Sequence, residues 1–214
     1  NRGYRACKNT VLIEVTKPVK NRINKELLAA PLLLRGRKMR WINVNEKYLD
    51  YLRNVESRIP RTDYGSDKYK PFFGVLFEID NLYYITQVSH AQTRHYKMKQ
   101  QKDFFKIYDS KNLNRLIAVV NLNYMFPIPK EQTSEFEKKY IHTYRTFRSE
   151  EEKSKYINLL DTELDAINKM NLEEKACAIY KLKYEMPEDR VAKRCIDFKD
   201  MERLAKEYGI NKNG

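Results

Sequence analysis

Residues 70–128 constrain the fold more than any other part of the sequence. Four runs rich in apolar, β-branched and aromatic residues lie in this segment and are separated by short polar connections. This pattern predicts an antiparallel sheet. In the first run apolar side chains recur at every second position from Phe73 to Ile79, and Asp80-Asn81 then predicts a two-residue hairpin turn. The partner strand is predicted at 82–88, with further strands at 104–108 and 116–122.

The remaining sequence predicts one more strand and several helices. The strand is predicted at 40–44, and Asn45 then caps a helix that Ile59-Pro60 ends. After Pro129 the spacing of apolar residues changes from two to about 3.6, which is typical of helices. Helices are therefore predicted at 132–147, 150–170, 171–187 and 198–208. Helices segregated after a mostly antiparallel sheet define an α+β fold, with a helical C-terminal half.

The sequence predicts a single domain at 39–214 and leaves residues 1–38 outside it. The chain begins with Asn, and Met39 resembles a natural start. The alternatives for 1–38 are an ordered N-terminal extension, a remnant of a fusion, and upstream sequence carried into the chain. We assign this segment no function.

Positive charge is concentrated in the first part of the chain. The 214 residues carry a formal net charge of +13, to which residues 1–38 contribute +8 and residues 39–129 contribute +5. Seven basic residues lie within 94–115, interleaved with Tyr and Phe. Such a cluster suits a polyphosphate partner, because cations neutralise phosphates and rings stack on bases. A solvated basic face is the structural alternative.

Several classes of site are not expected. The three cysteines, Cys7, Cys177 and Cys195, are odd in number and widely spaced, which predicts no metal site and favours a reducing cytoplasm. The longest uncharged apolar run, 27–34, is too short to span a bilayer, so no membrane partner is expected. Without a nucleotide-binding motif we also expect no cofactor.

Binding and metal-free chemistry therefore remain, and RNA permits the latter because its own 2′-hydroxyl can attack the adjacent phosphate. A protein then supplies a proton acceptor, cations for the developing charge, and a proton donor. The polar segment 89–102 is predicted to be a loop and carries candidates: Ser89, His90, Arg94, His95, Tyr96 and Lys97. If Asp80-Asn81 is the turn, Lys70 and Ser89 lie near the same end of the hairpin. Each residue also has an interpretation without a catalytic role. Ser89 would only form a turn, Lys70 would only be solvated, and His95 would be an exposed residue without a function.

Several motifs resemble one family. Lys70-Pro-Phe-Phe-Gly-Val is followed by a predicted strand ending at Ser89, and later by the sequence NLNYMFPI at 121–128. Together with Trp41–Leu49 and Cys195–Phe198, these stretches resemble the ToxN/AbiQ family of endoribonuclease toxins from type III toxin–antitoxin and phage abortive-infection systems. The resemblance spans residues 39 to about 208.

This resemblance implies a strongly twisted antiparallel sheet flanked by helices, related to Kid/MazF-like toxins. It implies a metal-independent endoribonuclease that cuts cellular or phage transcripts and leaves a 2′,3′-cyclic phosphate. It also implies inhibition by a repetitive, pseudoknot-forming antitoxin RNA, which the toxin processes and with which it assembles. By position, Ser89 matches the active-site serine of the family and Lys70 matches the lysine at the start of the first hairpin strand.

The sequence departs from the family just after the serine. Val88 stands where the family frequently has Thr, and His90-Ala91 stands where it has Pro-Lys. The lysine expected two residues after Ser89 is therefore absent, and Arg94, His95 or Lys97 is expected to supply the cation. His95 is a further candidate for proton transfer, since an unperturbed histidine has a pKa of about 6.5. The residues predicted to bind RNA are Arg40, Arg94, Lys97, Lys99, Lys102 and Arg115.

Two other functions compete with an endoribonuclease. A non-catalytic RNA-binding module would use the same basic residues and would bind RNA without cleaving it. A duplex DNA binder would need a helix-turn-helix or a basic recognition helix, neither of which is recognisable in the sequence.

Overall fold

The computed structural model describes residues 31, 38–65 and 68–210. Almost all of the segment 1–38, which the sequence leaves outside the predicted domain, therefore lies outside the described residues. Within the described part, strands form one antiparallel sheet in the order β4-β5-β3-β2-β1-β7, and β6 also pairs with β3. The strands are β1 (Arg40–Val44), β2 (Phe72–Ile79), β3 (Leu82–His90), β4 (Phe104–Asp109), β5 (Asn112–Asn121), β6 (Phe126–Pro129) and β7 (Thr133–Glu135).

The β2–β3 hairpin lies at the centre of this sheet, as the sequence predicts. Asp80 and Asn81 form its turn with φ angles of 49° and 64°, a region that Asn and Asp tolerate better than other non-glycine residues. Ile79 then pairs with Leu82. Gly74 allows the two strands to approach closely, because a Cβ at this position would lie 2.8 Å from Ile85 Cγ2.

Strand β3 has different partners along its length on the side away from β2. Its first half, Leu82 to Ile85, pairs with β6, whereas Val88 to His90 pair with β5. The β5 pairing extends β3 to His90, beyond the predicted end at 88, so Ser89 and His90 lie in a strand and not in a loop. Ser89 thus pairs with β5 on one side, whereas on the other side the pairing with β2 ends at Gln87.

Helices cover the sheet and close the core. They are α1 (Glu46–Arg53), α2 (Thr93–Lys97), α3 (Ile141–Tyr144), α4 (Glu150–Asn168), α5 (Leu172–Glu185), α6 (Arg190–Arg194) and α7 (Phe198–Ile210). Asn45 caps α1 by accepting a hydrogen bond from the Lys47 backbone N–H at 3.0 Å, and Ser149 caps α4 through the Glu152 N–H at 3.2 Å. The cap at Asn45 confirms the prediction from the sequence.

The long helix α4 packs across the start of the sheet. The indole Nε1 of Trp41 in β1 donates to the Leu160 carbonyl oxygen at 3.1 Å. Tyr156 Oη donates to the carbonyl oxygen of Tyr69 at 2.7 Å. These buried hydrogen bonds fix the face of α4 that carries Tyr156 and Leu160 against the segment leading into β2.

The prediction of a helix at 132–147 is wrong. Thr133–Glu135 instead form β7, which pairs with β1 and so satisfies the backbone groups at that edge of the sheet. Phe136 and Tyr144 then stack with the buried Tyr69, at centroid distances of 6.1 and 5.0 Å. Strand pairing and aromatic packing outweigh the helical spacing here, and only a 3-10 turn at Lys138–Tyr140 and the short α3 form.

Smaller corrections concern the ends of elements. Helix α1 ends at Arg53, before the predicted stop at 59–60, and Val55 is 56% exposed. The last helix continues through Gly209 to Ile210. Strand β5 begins at Asn112, not at 116, and α6 was not predicted, because five residues are too few to show a helical period.

Candidate active site

A polar pocket of about 200 Å³ opens where the segment before β2 meets the ends of β3 and β5. Its shape depends on buried strands, which position the side chains that line it. The lining residues are Arg58, Pro60, Tyr64, Lys70, Thr86, Gln87, Ser89, Asn121 and Tyr124. Lys70 and Ser89, which the sequence placed at the same end of the hairpin, are therefore brought together.

Hairpin register explains why Lys70 and Ser89 meet. Phe72 pairs with Gln87, so continuing the same antiparallel register by two residues on each strand brings residue 70 opposite residue 89. Ser89 is half-buried and pairs with Val119 of β5 on its other side. The backbone of Lys70 is tied down at both ends, because its N–H donates to the Thr62 carbonyl and its carbonyl accepts from Gln87 Nε2.

The ammonium group of Lys70 is held in a partly dry environment. The side chain is half-buried, and Nζ lies 4.8 Å from the centroid of the Tyr64 ring. Burial lowers the pKa of Lys70 below its ordinary value, and the nearby Glu163 carboxyl opposes this effect. A lysine with a lowered pKa can release or accept a proton more easily than a solvated one.

Sequence reasoning missed several residues that line the pocket. The guanidinium of Arg58 is held by Glu56 through Nε–Oε1 and Nη2–Oε2 contacts of 2.8 and 2.6 Å and lies 5.8 Å from the Tyr124 ring centroid. Asn121 and Tyr124 lie in the NLNYMFPI stretch that carried the family resemblance, so a signal for them was present. Arg58 and Tyr64 come from a loop whose path no local pattern specifies.

His95 is not brought together with Lys70 and Ser89. It does not line their pocket; its side chain is 5% exposed and lies in α2, a short helix within the segment predicted as a loop. Nδ1 of His95 accepts a hydrogen bond from the Gln92 backbone N–H at 3.1 Å, which caps the start of α2. The expectation of an exposed loop histidine is therefore wrong, and the geometry gives His95 a capping role.

His90, unlike His95, is affected by the charge of Lys70 in the pocket. It follows Ser89 at the end of β3 and is exposed. Partial desolvation by surrounding protein lowers the pKa of His90, and the positive charges of Lys70 and Arg145 lower it further. A histidine whose pKa is lowered is neutral at pH 7 and can accept a proton.

Four of the six predicted RNA-binding residues lie in an exposed region outside the pocket, which we call the basic face. It comprises α2 and the β4–β5 hairpin, where basic and aromatic side chains point to solvent. Its exposed residues are Arg94, Tyr96, Lys97, Lys99, Tyr108, Lys111 and Arg115. Lys102 is also exposed, with Nζ 3.9 Å from Asp189, and Arg40 is exposed at the start of β1. No residue of the basic face lines the pocket.

Cys177 and Cys195 are buried free thiols, and burial raises the pKa of each to about 11. Cys7 lies outside the described residues. Among the residues that the structure describes, no helix is long and apolar enough to cross a membrane, and no group of three or more His, Cys, Asp or Glu side chains is arranged to hold a metal ion.

A pocket that combines a lysine, an arginine and a serine, beside an exposed face of cations and aromatic rings, defines a protein that handles phosphodiesters. The family model of the ToxN toxin of type III toxin–antitoxin systems matches residues 40–206. The chain therefore belongs to the ToxN toxin family. No curated protein matches the sequence.

Solved structures of similar proteins confirm the α+β fold. AbiQ, a lactococcal anti-phage endoribonuclease of a type III toxin–antitoxin system, has a TM-score of 0.65 and 17% identity, covering 81% of this chain and 99% of AbiQ. A bacterial type III toxin that a non-coding RNA pseudoknot inhibits has a TM-score of 0.65 and 20% identity, over 81% and 99% of the two chains. A bacterial antiviral system regulated by a processed non-coding RNA provides a third similar chain, with a TM-score of 0.64 and 18% identity over 79% and 99%. At such identities the chain is not AbiQ itself.

Proposed function

We propose that the protein is an endoribonuclease toxin that cleaves single-stranded RNA without a metal ion. Membership of the ToxN family supports a toxin of a type III toxin–antitoxin system. The observation that carries the proposal is that Lys70 and Ser89 line one polar pocket together with Arg58. Such a pocket offers a hydroxyl and two cations to a single phosphodiester group.

The proposed reaction is an attack of the RNA 2′-hydroxyl on the adjacent phosphorus. The new bond from O2′ to phosphorus forms as the bond from phosphorus to O5′ breaks, which leaves a 2′,3′-cyclic phosphate and a 5′-hydroxyl. Ser89 positions the scissile phosphate, while Lys70 and Arg58 stabilise the negative charge that develops on its oxygens. The 2′ proton needs an acceptor and the leaving O5′ needs a donor.

We assign these proton transfers to His90 and Lys70 in place of His95. The charge of Lys70 acts on His90, and the lowered pKa of this histidine leaves it neutral and able to accept the 2′ proton. Lys70 carries an ammonium proton that it can give to O5′, and its lowered pKa makes that transfer easier. The two groups influence each other's charge, so their pKa values belong to the pair.

The basic face is proposed to bind RNA outside the pocket, both the target transcript and a repetitive antitoxin RNA. Its solvent-exposed cations and rings suit a single strand or a folded RNA, because they contact phosphates and bases without sequence preference. One structurally similar toxin is inhibited by a non-coding RNA pseudoknot, and we expect a comparable RNA to inhibit this protein, to be processed by it and to assemble with it. Phage defence and a cytoplasmic location stay predictions.

The test is cleavage of RNA by the purified protein in EDTA, followed by identification of the ends. We expect fragments with cyclic phosphate ends, and we expect them to vanish in Ser89→Ala and Lys70→Ala. Ser134→Ala and Lys68→Ala are matched controls, because both residues are exposed and neither lines the pocket. RNA binding without any cleavage would instead identify a non-catalytic binding module. Cleavage that EDTA abolishes would contradict the metal-free reaction.

A further inference from the structure

We propose that Glu163 is a positioning residue for Lys70, with a buried carboxyl group behind the pocket that sets the proton affinity of the lysine facing RNA. The consequence of this role of Glu163 for RNA cleavage rests on the proposed function. Its effect on Lys70 itself is a property of the free protein and needs no RNA.

The packing of α4 places Glu163 behind the lysine. The buried positions of this helix are Tyr156, Leu160, Glu163 and Ile167, which recur at intervals of three and four residues and so share one face. Tyr156 on this face donates to the carbonyl of Tyr69, the residue directly before Lys70. Glu163 lies on the same buried face, two turns after Tyr156, and Lys70 is the charged side chain whose electrostatic effect reaches its carboxyl group.

Glu163 differs from an ordinary structural carboxylate because it lacks partners. Its side chain is 1% exposed, and Oε1 accepts no hydrogen bond from any described residue. No ion pair among the described residues includes it either. A buried carboxylate without hydrogen bonds is costly, so such a group is retained in folded proteins mainly where it holds a proton or influences a neighbouring charge.

The neighbouring charge is that of Lys70. Burial raises the pKa of Glu163 to about 8, and the Lys70 ammonium acts in the opposite direction. Reciprocally, the Glu163 carboxylate raises the pKa of Lys70, which burial lowers. Further titratable or charged groups surround this pair: Arg58 and Tyr64 in the pocket, and Tyr69, His90, Arg145 and Tyr156.

The charge of Glu163 affects the protonation of Lys70 above pH 7. Near pH 7 its carboxyl group is mostly protonated and exerts little charge on Lys70. As the pH rises through about 8, the carboxylate forms and favours retention of the Lys70 proton. Glu163 therefore extends to higher pH the range in which Lys70 stays charged.

The experiment measures the titration of Lys70 in the absence of RNA, by NMR of its ¹³C-labelled Cε. In Glu163→Gln, which keeps the shape of the protonated carboxyl but cannot ionise, we expect the Lys70 midpoint to fall by about one pH unit. The alkaline limb of the cleavage profile should move to lower pH by the same amount. An unchanged Lys70 midpoint would overturn the proposal.

Two further measurements keep the result unambiguous. Glu202→Gln is the matched control, because Glu202 is a partly buried carboxylate whose pKa burial also raises, yet it accepts hydrogen bonds from Tyr84 and Tyr180, away from the pocket. It should leave the Lys70 midpoint unchanged. In Lys70→Met, the carboxyl ¹³C signal of Glu163 should titrate at a higher pH than in the wild type. If Glu163→Gln does not fold, this reciprocal measurement tests the interaction between Glu163 and Lys70, and an unchanged Glu163 midpoint would overturn the proposal. A wild type that cleaves no RNA would reject the proposed function while both titrations still test the pair.

Discussion

The pocket of Lys70 and the basic face both present positive charge, yet they are built in opposite ways. Lys70 is half-buried where β2, β3 and β5 meet, and the Arg58 guanidinium is fixed by Glu56. On the basic face, Lys97 and Lys99 are exposed and form no ion pair with any described residue. Tyr96, beside them, is 53% exposed. The pocket holds its cations against neighbouring side chains, and the basic face exposes most of its cations to solvent.

This difference separates chemistry from binding. Desolvation changes the proton affinity of a group, so only the pocket can tune a lysine or a histidine for proton transfer. Exposed cations are screened by salt and keep their mobility, but they still attract a polyanion through the release of its counterions. We therefore expect substitutions in the pocket to change the rate of cleavage and substitutions on the basic face to change affinity.

The largest effect is expected from Lys70→Met. Loss of its charge and its proton should lower the single-turnover cleavage rate with saturating RNA by about 10²- to 10⁴-fold. The affinity for a fully 2′-O-methylated RNA, which cannot attack its own phosphate, should change by less than about tenfold. Lys68→Met, an exposed lysine in the same loop, is the control. Equal losses of rate and affinity would erase the distinction between the two regions.

His90→Gln tests the acid side of the pH profile. The pKa of His90 is lowered, and its neutral form is the proposed base, so wild-type cleavage should fall only as the pH drops through that lowered value. Cleavage should also fall at high pH as Lys70 loses its proton, giving a bell-shaped profile. In His90→Gln we expect a rate at least about tenfold lower and no acid limb. Retention of the acid limb in this variant would assign it to another group.

A triple substitution of Lys97, Lys99 and Arg115 by Gln tests the basic face. We expect a loss of affinity for RNA of about tenfold or more at low salt. The slope of log affinity against log salt should become shallower by about 2, since each phosphate contact to a single strand contributes about 0.7. The single-turnover rate at saturating RNA should stay unchanged. The matched control replaces Lys155, Lys169 and Lys181, exposed lysines on α4, the segment after it and α5.

The pocket and the basic face also differed in how far the sequence could predict them. The two-residue turn predicts only that Lys70 and Ser89 lie near the same end of the hairpin. Their exact alignment depends on a shift of the β2–β3 register between Phe73 and Phe77, which the sequence pattern did not reveal. The basic face follows from composition alone. By contrast, Arg58 and Tyr64 reach the pocket through a loop, and the fold of a loop depends on tertiary contacts that no period encodes.

His95 and Glu163 show two further limits. The segment of His95 lacks apolar periodicity, and a helix of five residues leaves too short a pattern to distinguish it from a loop. The spacing in α4 did contain a signal, because Glu163 occupies the apolar face between Leu160 and Ile167. A charged residue at such a position is informative, since unpaired charges are rarely buried without a role.

The smallest effects are expected from two glycines that test whether the pocket depends on a rigid hairpin. Gly74→Ala puts a methyl group where Ile85 Cγ2 lies 2.8 Å away and the Tyr84 carbonyl oxygen 3.4 Å away, so β2 and β3 must shift apart. We expect the free energy of unfolding to fall by about 1–3 kcal/mol, as for other overpacked sites. Because the same two strands align Lys70 with Ser89, the cleavage rate should fall more than the affinity for RNA, which the basic face provides.

Gly209→Ala is the counterpart outside the hairpin. Its Cβ would lie 3.8 Å from Glu131 Oε1, an ordinary contact, and alanine favours the helix by up to about 1 kcal/mol. Chemical denaturation of both variants, with cleavage rate and RNA affinity measured on the same samples, separates stability from alignment. If Gly74→Ala lost stability but cleaved RNA at the wild-type rate, the alignment of Lys70 and Ser89 would not depend on the close approach of β2 and β3. The pocket would then owe its geometry to α4 and the loop before β2, and the contrast with the basic face would rest on burial alone.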